Sequence, residues 1–253
     1  IGNHTDHNGG KVIAGSINLD TIGAAYPNGT QVIRITSEGY DKEVVVDIND
    51  LASVPKAQGT VSLVAGMVEA IQKFGFKVAG FDAYVTTNVI RAAGVSSSAS
   101  FEMLVCSIIN YFFNDGAMTY INYAKAGQYA ENVYWLKASG LMDQLACAVG
   151  GPILLDFSDR ENPKYEKVNF SFHDYDHHLV IVNTGKGHAD LSRSLKVLEL
   201  QHSVAGAADQ DAEAGRDLDG LLGIGNQNFI GHRISPLLSG LVVFRDVQPC
   251  RMP

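Results

Sequence analysis

Residues 94–100 read Gly94-Val95-Ser96-Ser97-Ser98-Ala99-Ser100 and sit between the apolar run 84–90 and the long apolar stretch 101–113. A strand-like segment thus feeds a serine-rich turn that opens a helix. Backbone N–H groups at a helix start lack intrahelical partners and carry the positive end of the helix dipole. The hydroxyls of Ser96, Ser97 and Ser98 add groups that can reach phosphate oxygens or a bound Mg2+. The stretch predicts a phosphorylated ligand held at the start of a helix.

Working outward, 11–19 and 31–36 read as strands, and 43–48 follows as another after the turn Gly39-Tyr40-Asp41, which together predict an antiparallel opening sheet. In 61–74 the apolar residues Leu63, Met67, Ile71 and Phe74 recur near the helical period and stop at Gly75, so a helix is expected to pack on that sheet. Downstream, helices are expected over 101–113, 118–134 and 140–149, and strands over 153–157, 168–172 and 178–182. Sheet, then helices, then sheet again favours an α+β body over a doubly wound one. From about residue 192 the character changes: 201–219 is rich in Ala, Gly and Asp, 237–244 could form a strand, and no periodic pattern joins them.

The 253 residues, 46% of them hydrophobic and 18% charged, are enough for one large domain or two modest ones with a substantial core. A formal charge of −8 with no basic cluster interleaved with aromatics argues against nucleic acid as a partner, so an anionic ligand must be drawn by local groups. Cys106, Cys147 and Cys250 are widely separated, and the first two lie in apolar helical stretches where a thiol behaves as a small hydrophobe. A reduced, cytoplasmic setting is expected, with no membrane partner, because neither a leader nor a membrane-length apolar run is visible. No pattern sets an oligomeric state.

The segment Gly2-Asn3-His4-Thr5-Asp6-His7-Asn8-Gly9-Gly10 packs hydrogen-bonding side chains between glycine turns, which suits a polyhydroxylated ligand approached by backbone. A plain polar turn explains the composition equally well, and a zinc site through His4, Asp6 and His7 matches no familiar spacing. Asp143 stands in the apolar helical stretch 139–147, where a carboxylate is costly unless paired, solvated or functional, so it is a candidate base. The plainer reading makes it an early-turn acid favoured by the helix dipole, with Ser139 as N-cap. Glu131, taken alone, reads as an exposed helix residue.

In this order and spacing the segments 2–10, 94–100 and 140–144 resemble the galactokinases of the GHMP small-molecule kinase family, and the similarity runs from Ile1 to about Leu191. The resemblance implies a two-domain α+β fold: a ribosomal protein S5 domain 2-like body, residues 1–150, binding sugar and ATP, and an incomplete ferredoxin-like C-terminal domain, residues 151–253, atypical or truncated after about 191. It implies transfer of the ATP γ-phosphoryl group to the C1 hydroxyl of D-galactose with Mg2+ as counter-ion. Carried over position by position, Asn3, His4, Asp6 and Gly140 bind the sugar and Asp143 is the base or hydroxyl-orienting carboxylate. Gly94, Val95, Ser96, Ser97 and Ser98 bind ATP, while Ser98 and Glu131 associate with the metal.

Some positions depart from that family pattern. Asn3 stands where many members have Glu, and Ala92 and Ala93 replace loop glycines. Leu136-Lys137-Ala138 forms the approach to the catalytic helix, and Leu195 occupies the place of a tyrosine. The arginine that would pair with the base falls before Ile1, and no glycine-rich closing motif follows residue 191. The last two departures suit an alternative, a non-catalytic galactose and ATP sensor of the same ancestry, whereas Asp143, Ser98 and Glu131 favour the enzyme. An unrelated ligand-binding domain would have to produce three ordered coincidences. A serine hydrolase would want a Gly-x-Ser-x-Gly elbow that this loop lacks.

Overall fold

The computed structural model describes residues 6–90, 94–180, 233–236 and 242–246, the last two segments as backbone only. Within them a 3-10 turn, Asp6–Asn8, leads into strands β1 (Lys11–Ala14), β2 (Thr21–Pro27), β3 (Val32–Ser37) and β4 (Val44–Asp47). Then come helix α1 (Thr60–Lys73), strand β5 (Phe81–Thr87), helices α2 (Ser97–Phe113), α3 (Tyr120–Tyr129) and α4 (Met142–Val149), and strands β6 (Ile153–Asp156), β7 (Lys164–Lys167), β8 (Arg233–Pro236) and β9 (Val242–Asp246). The strands form a six-stranded sheet, β4-β3-β5-β2-β9-β8, and a three-stranded sheet, β1-β6-β7. The expected α+β body is present.

The larger sheet is mixed: β3 runs parallel to β5, while β2 pairs antiparallel with both β5 and β9. Alternation decides which side it buries. Ile33 and Ile35, Val44 and Val46, and Phe81, Ala83 and Val85 all point to one core, where they meet Met67, Val68 and Ile71 of α1 and Met103, Leu104 and Ile108 of α2. A Val, Leu, Ile, Phe or Met side chain, fully buried, stabilises the fold by about 1.5–3 kcal/mol before entropy is counted. Helix α2 is buried round most of its circumference, as its long, mostly apolar run requires. A second core of Val12, Ala14, Leu145, Ala146, Ile153, Leu155 and Phe157 fastens α4 to the smaller sheet.

Several expectations need correcting. The first strand ends at Ala14 and belongs to the smaller sheet, so the opening segments do not form one antiparallel sheet. The stretch 21–27, not anticipated, is a strand of the larger sheet. Helix α3 starts at Tyr120 because Thr119 and Asn122 form a reciprocal capping box, and it continues as a π-helical turn, Ala130–Tyr134. The strand expected over 168–172 lies earlier, at Lys164–Lys167, and a 3-10 turn, Phe172–Tyr175, follows it. Residues 178–180 are not a strand, and 181–182 fall outside the described residues, as do most of the tail beyond 191 and Cys250. Of the strand expected over 237–244, Val242–Asp246 is seen.

Candidate active site

The serine loop turns through two left-handed residues, Gly94 at φ 76° and Ser96 at φ 51°. Left-handed backbone costs a residue with a Cβ about 1–2 kcal/mol, so something must hold Ser96 there. Its hydroxyl makes no cap bond to α2. Instead it donates to Asp143 Oδ2, joining the start of α2 to the first turn of α4. The other oxygen of Asp143, Oδ1, is buried and has no hydrogen-bond partner. A buried carboxylate oxygen without a partner is expensive in a purely structural role and is what a base awaiting a proton requires.

Asp6 comes to the same place from the far end of the sequence. Its Oδ2 accepts the Leu141 backbone N–H at 2.9 Å, so it stands where a cap for α4 would. Gly140 lies beside it, and a Cβ there would overlap the Asp6 carboxylate outright. Ser139, considered above as the N-cap, is not one: the residue before α4 is Leu141, without a side-chain cap, and the Ser139 N–H donates to Asn132 Oδ1. Asp6, Gly140, Asp143 and Ser96 are thus brought together. Asn3 and His4 lie outside the described residues.

On the other side of the loop, Ser98 Oγ donates to Glu131 Oε1 at 2.8 Å. Glu131 is 1% exposed, not the solvated residue that its local sequence implies. Lys137 Nζ lies 2.7 Å from the same oxygen, and Gln144 Nε2 donates to Glu131 Oε2 at 3.3 Å and to Glu102 Oε2 at 3.2 Å. Glu102, fully buried in α2, has its carboxyl held well above the usual carboxylate range by burial and then by the charge of Glu131; Lys137 and Gln144 act in the opposite direction. The sequence reading missed Glu102, Gln144 and Lys137 as members of the site. The signal for Glu102 is a lone acid inside an apolar helix run, and Gln144 adjoins the candidate base. Val95 is packed into the main core, so from this residue only backbone is offered to a ligand.

Ser98 and Glu131 fit a nucleotide-bound Mg2+: a hydroxyl and a carboxylate, hard oxygen donors one hydrogen bond apart, are the kind of donors a protein gives that ion when phosphates complete its shell. Among the described residues no group of three or more His, Cys, Asp or Glu gathers that could hold a metal. Nor is any helix among them long and apolar enough to cross a membrane.

Comparison with known proteins finds two matching family descriptions. Residues 62–151 match the GHMP kinases N-terminal domain, and residues 1–27 match the galactokinase galactose-binding signature. The chain thus carries a GHMP kinase N-terminal domain and a galactokinase galactose-binding signature. Within that class its relatives are galactokinases: it is 38% identical over 192 residues to that of Lactiplantibacillus plantarum and 33% identical over 189 residues to that of Clostridium tetani. These alignments cover 74% of this chain and 47–48% of those proteins, so the chain spans about half the length of the curated relatives it matches. The crystal structure of Lactococcus lactis galactokinase complexed with galactose superposes with a TM-score of 0.62 at 25% identity, over 84% of this chain and 56% of that one. Mevalonate kinase from Methanococcus jannaschii shares the fold, with a TM-score of 0.52 at 17% identity over 69% of this chain and 54% of that one.

Proposed function

We propose that the protein transfers the γ-phosphoryl group of ATP to the C1 hydroxyl of D-galactose, giving α-D-galactose 1-phosphate. The observation that carries this reading is the hydrogen bond between Ser96 of the phosphate loop and Asp143, beside an Asp143 oxygen left unpartnered. Phosphoryl transfer asks for little covalent chemistry beyond alignment and charge neutralisation, and a loop-anchored carboxylate supplies alignment.

Asn3, His4 and Asp6 hold the sugar, with Gly140 giving it a close backbone approach. The loop 94–98 receives the phosphates at the start of α2. Asp143 Oδ2 stays on Ser96 while Oδ1 takes or orients the C1 hydroxyl proton; the sugar oxygen bonds to the γ-phosphorus, and the bond from that phosphorus to the departing ADP breaks. Mg2+, when bound at Ser98 and Glu131, neutralises charge on the phosphate oxygens. The reading divides the chain into a sugar- and ATP-binding part, 1–150, and a C-terminal part, 151–253. It places the protein in the cytoplasm, where ATP is at hand and the buried thiol of Cys106 stays reduced.

The test is coupled ADP release with Mg-ATP and, in turn, D-galactose, N-acetylgalactosamine, glucose and mevalonate. Galactose-dependent release is expected. Asp143→Ala should lower kcat by roughly 10²–10⁴-fold while calorimetry still registers galactose binding. Binding without galactose-dependent release in the unaltered protein would overturn this reading in favour of the non-catalytic sensor, which no comparison favours.

A further inference from the structure

Lys137 is delivered to Glu131 by a strained backbone. Leu136 before it adopts φ 58°, a left-handed conformation uncommon for a bulky residue, and leaves its own side chain 57% exposed. An exposed leucine gains little from this posture, so the gain lies next door. The turn brings the Lys137 N–H to the Glu131 carbonyl at 2.9 Å and Nζ to Glu131 Oε1 at 2.7 Å.

That oxygen also accepts from Ser98, so the ammonium lies no farther from the phosphate loop than two hydrogen bonds laid end to end. The Glu131 side chain is 1% exposed and that of Lys137 is 50% exposed. A buried carboxylate thus faces a cation free to move on a flexible stem.

We propose that Lys137 is a further nucleotide-phosphate-binding residue, holding the cation position on Glu131 until Mg2+ arrives with a nucleotide and then turning its ammonium to the phosphates. The inference rests on the assignment of Ser98 and Glu131 above and deepens it. Two cations cannot share one carboxylate oxygen without repulsion, so metal entry drives Lys137 off Oε1. The first turn of α2 carries no basic residue, and among the described residues a displaced Lys137 is a cation within reach of a polyphosphate there.

The chain carries a built-in reporter. Its single tryptophan, Trp135, has its ring centroid 5.5 Å from Lys137 Nζ. The experiment titrates Mg2+ into protein with ADP and follows Trp135 fluorescence, with calorimetry of ADP in chelator as a second arm. The unaltered protein should show an indole change on Mg-ADP addition. Lys137→Met should lower the Mg2+ midpoint roughly fivefold, because the internal competitor is gone, and weaken metal-free ADP binding by a similar factor, because Glu131 then faces the phosphates with its charge uncompensated. Should Lys137→Met fail to fold, Lys137→Arg serves instead: its fork grips Glu131 more firmly and should raise the Mg2+ midpoint. Midpoints and metal-free affinities within twofold of the unaltered protein would overturn this inference and leave the kinase reading standing. Failure of the unaltered protein to bind Mg-ADP at all would overturn both.

Discussion

Gly140 has no side chain because Asp6 needs the space, and this pairs two positions 134 residues apart more sharply than any hydrogen bond near them. Gly140→Ala must push the Asp6 carboxylate aside and break its bond to the Leu141 amide. Galactose affinity measured by calorimetry is expected to fall roughly 10–100-fold, the usual cost of displacing a binding group by an ångström, with the melting temperature little changed. Unaltered affinity would show that Asp6 does not hold the sugar. Asp143 was legible in the sequence as a carboxylate in an apolar stretch. Glu131 was not, because what buries it comes from elsewhere: Ser98 from α2, Lys137 from the following loop and Gln144 from α4. Local composition carries no trace of such partners.

At the scale of elements, α1 lies against the π-helical turn 130–134 through another glycine. A Cβ on Gly66 would stand 2.8 Å from Ala130 Cα and 2.9 Å from Tyr134 Cδ2. Alanine's better helix propensity offers about 1 kcal/mol, but overpacking against backbone costs about 1–3 kcal/mol, so the clash wins. Gly66→Ala should lower the melting temperature in calorimetry by about 2–4 °C; a rise would show that the two elements can part cheaply.

The helices were read well from the sequence because their apolar spacing is long and regular, whereas the strands were not. In β2 the residues Gly23-Ala24-Ala25 are weak strand formers whose smallness serves packing: a Cβ on Gly23 would meet Leu104 of α2 at 3.1 Å. In β7 every residue is exposed, so no alternation betrays it. Strand partnership is decided by packing that a linear reading does not contain.

For the whole molecule, the buried Glu102 sets part of the pH dependence of stability. Its folded pKa is raised, by burial first and then by Glu131, so the folded protein keeps a proton that the unfolded chain releases above its ordinary value of 4.5. The folded state therefore binds more protons, and this contribution, complete below pH 4.5, is lost as pH rises toward the folded pKa. Glu102→Gln removes that titration while its amide carbonyl can still accept from Gln144. Melting followed at pH 5 and pH 8 should find the variant gaining on the unaltered protein as pH rises. A constant difference between the two would mean that Glu102 does not carry the proton.

The smaller sheet has a consequence for synthesis. Strand β1 follows the turn that bears Asp6, and its partner β6 is made only after α4 is complete, with Val12 opposite Leu155. A chain emerging from the ribosome therefore holds its first strand unpaired, with an apolar side uncovered, while most of the domain is built. Asp6, ahead of β1, and Asp143, in α4, then come together in one late closing event, so an interrupted nascent chain is an adhesive fragment whose two acids have not met.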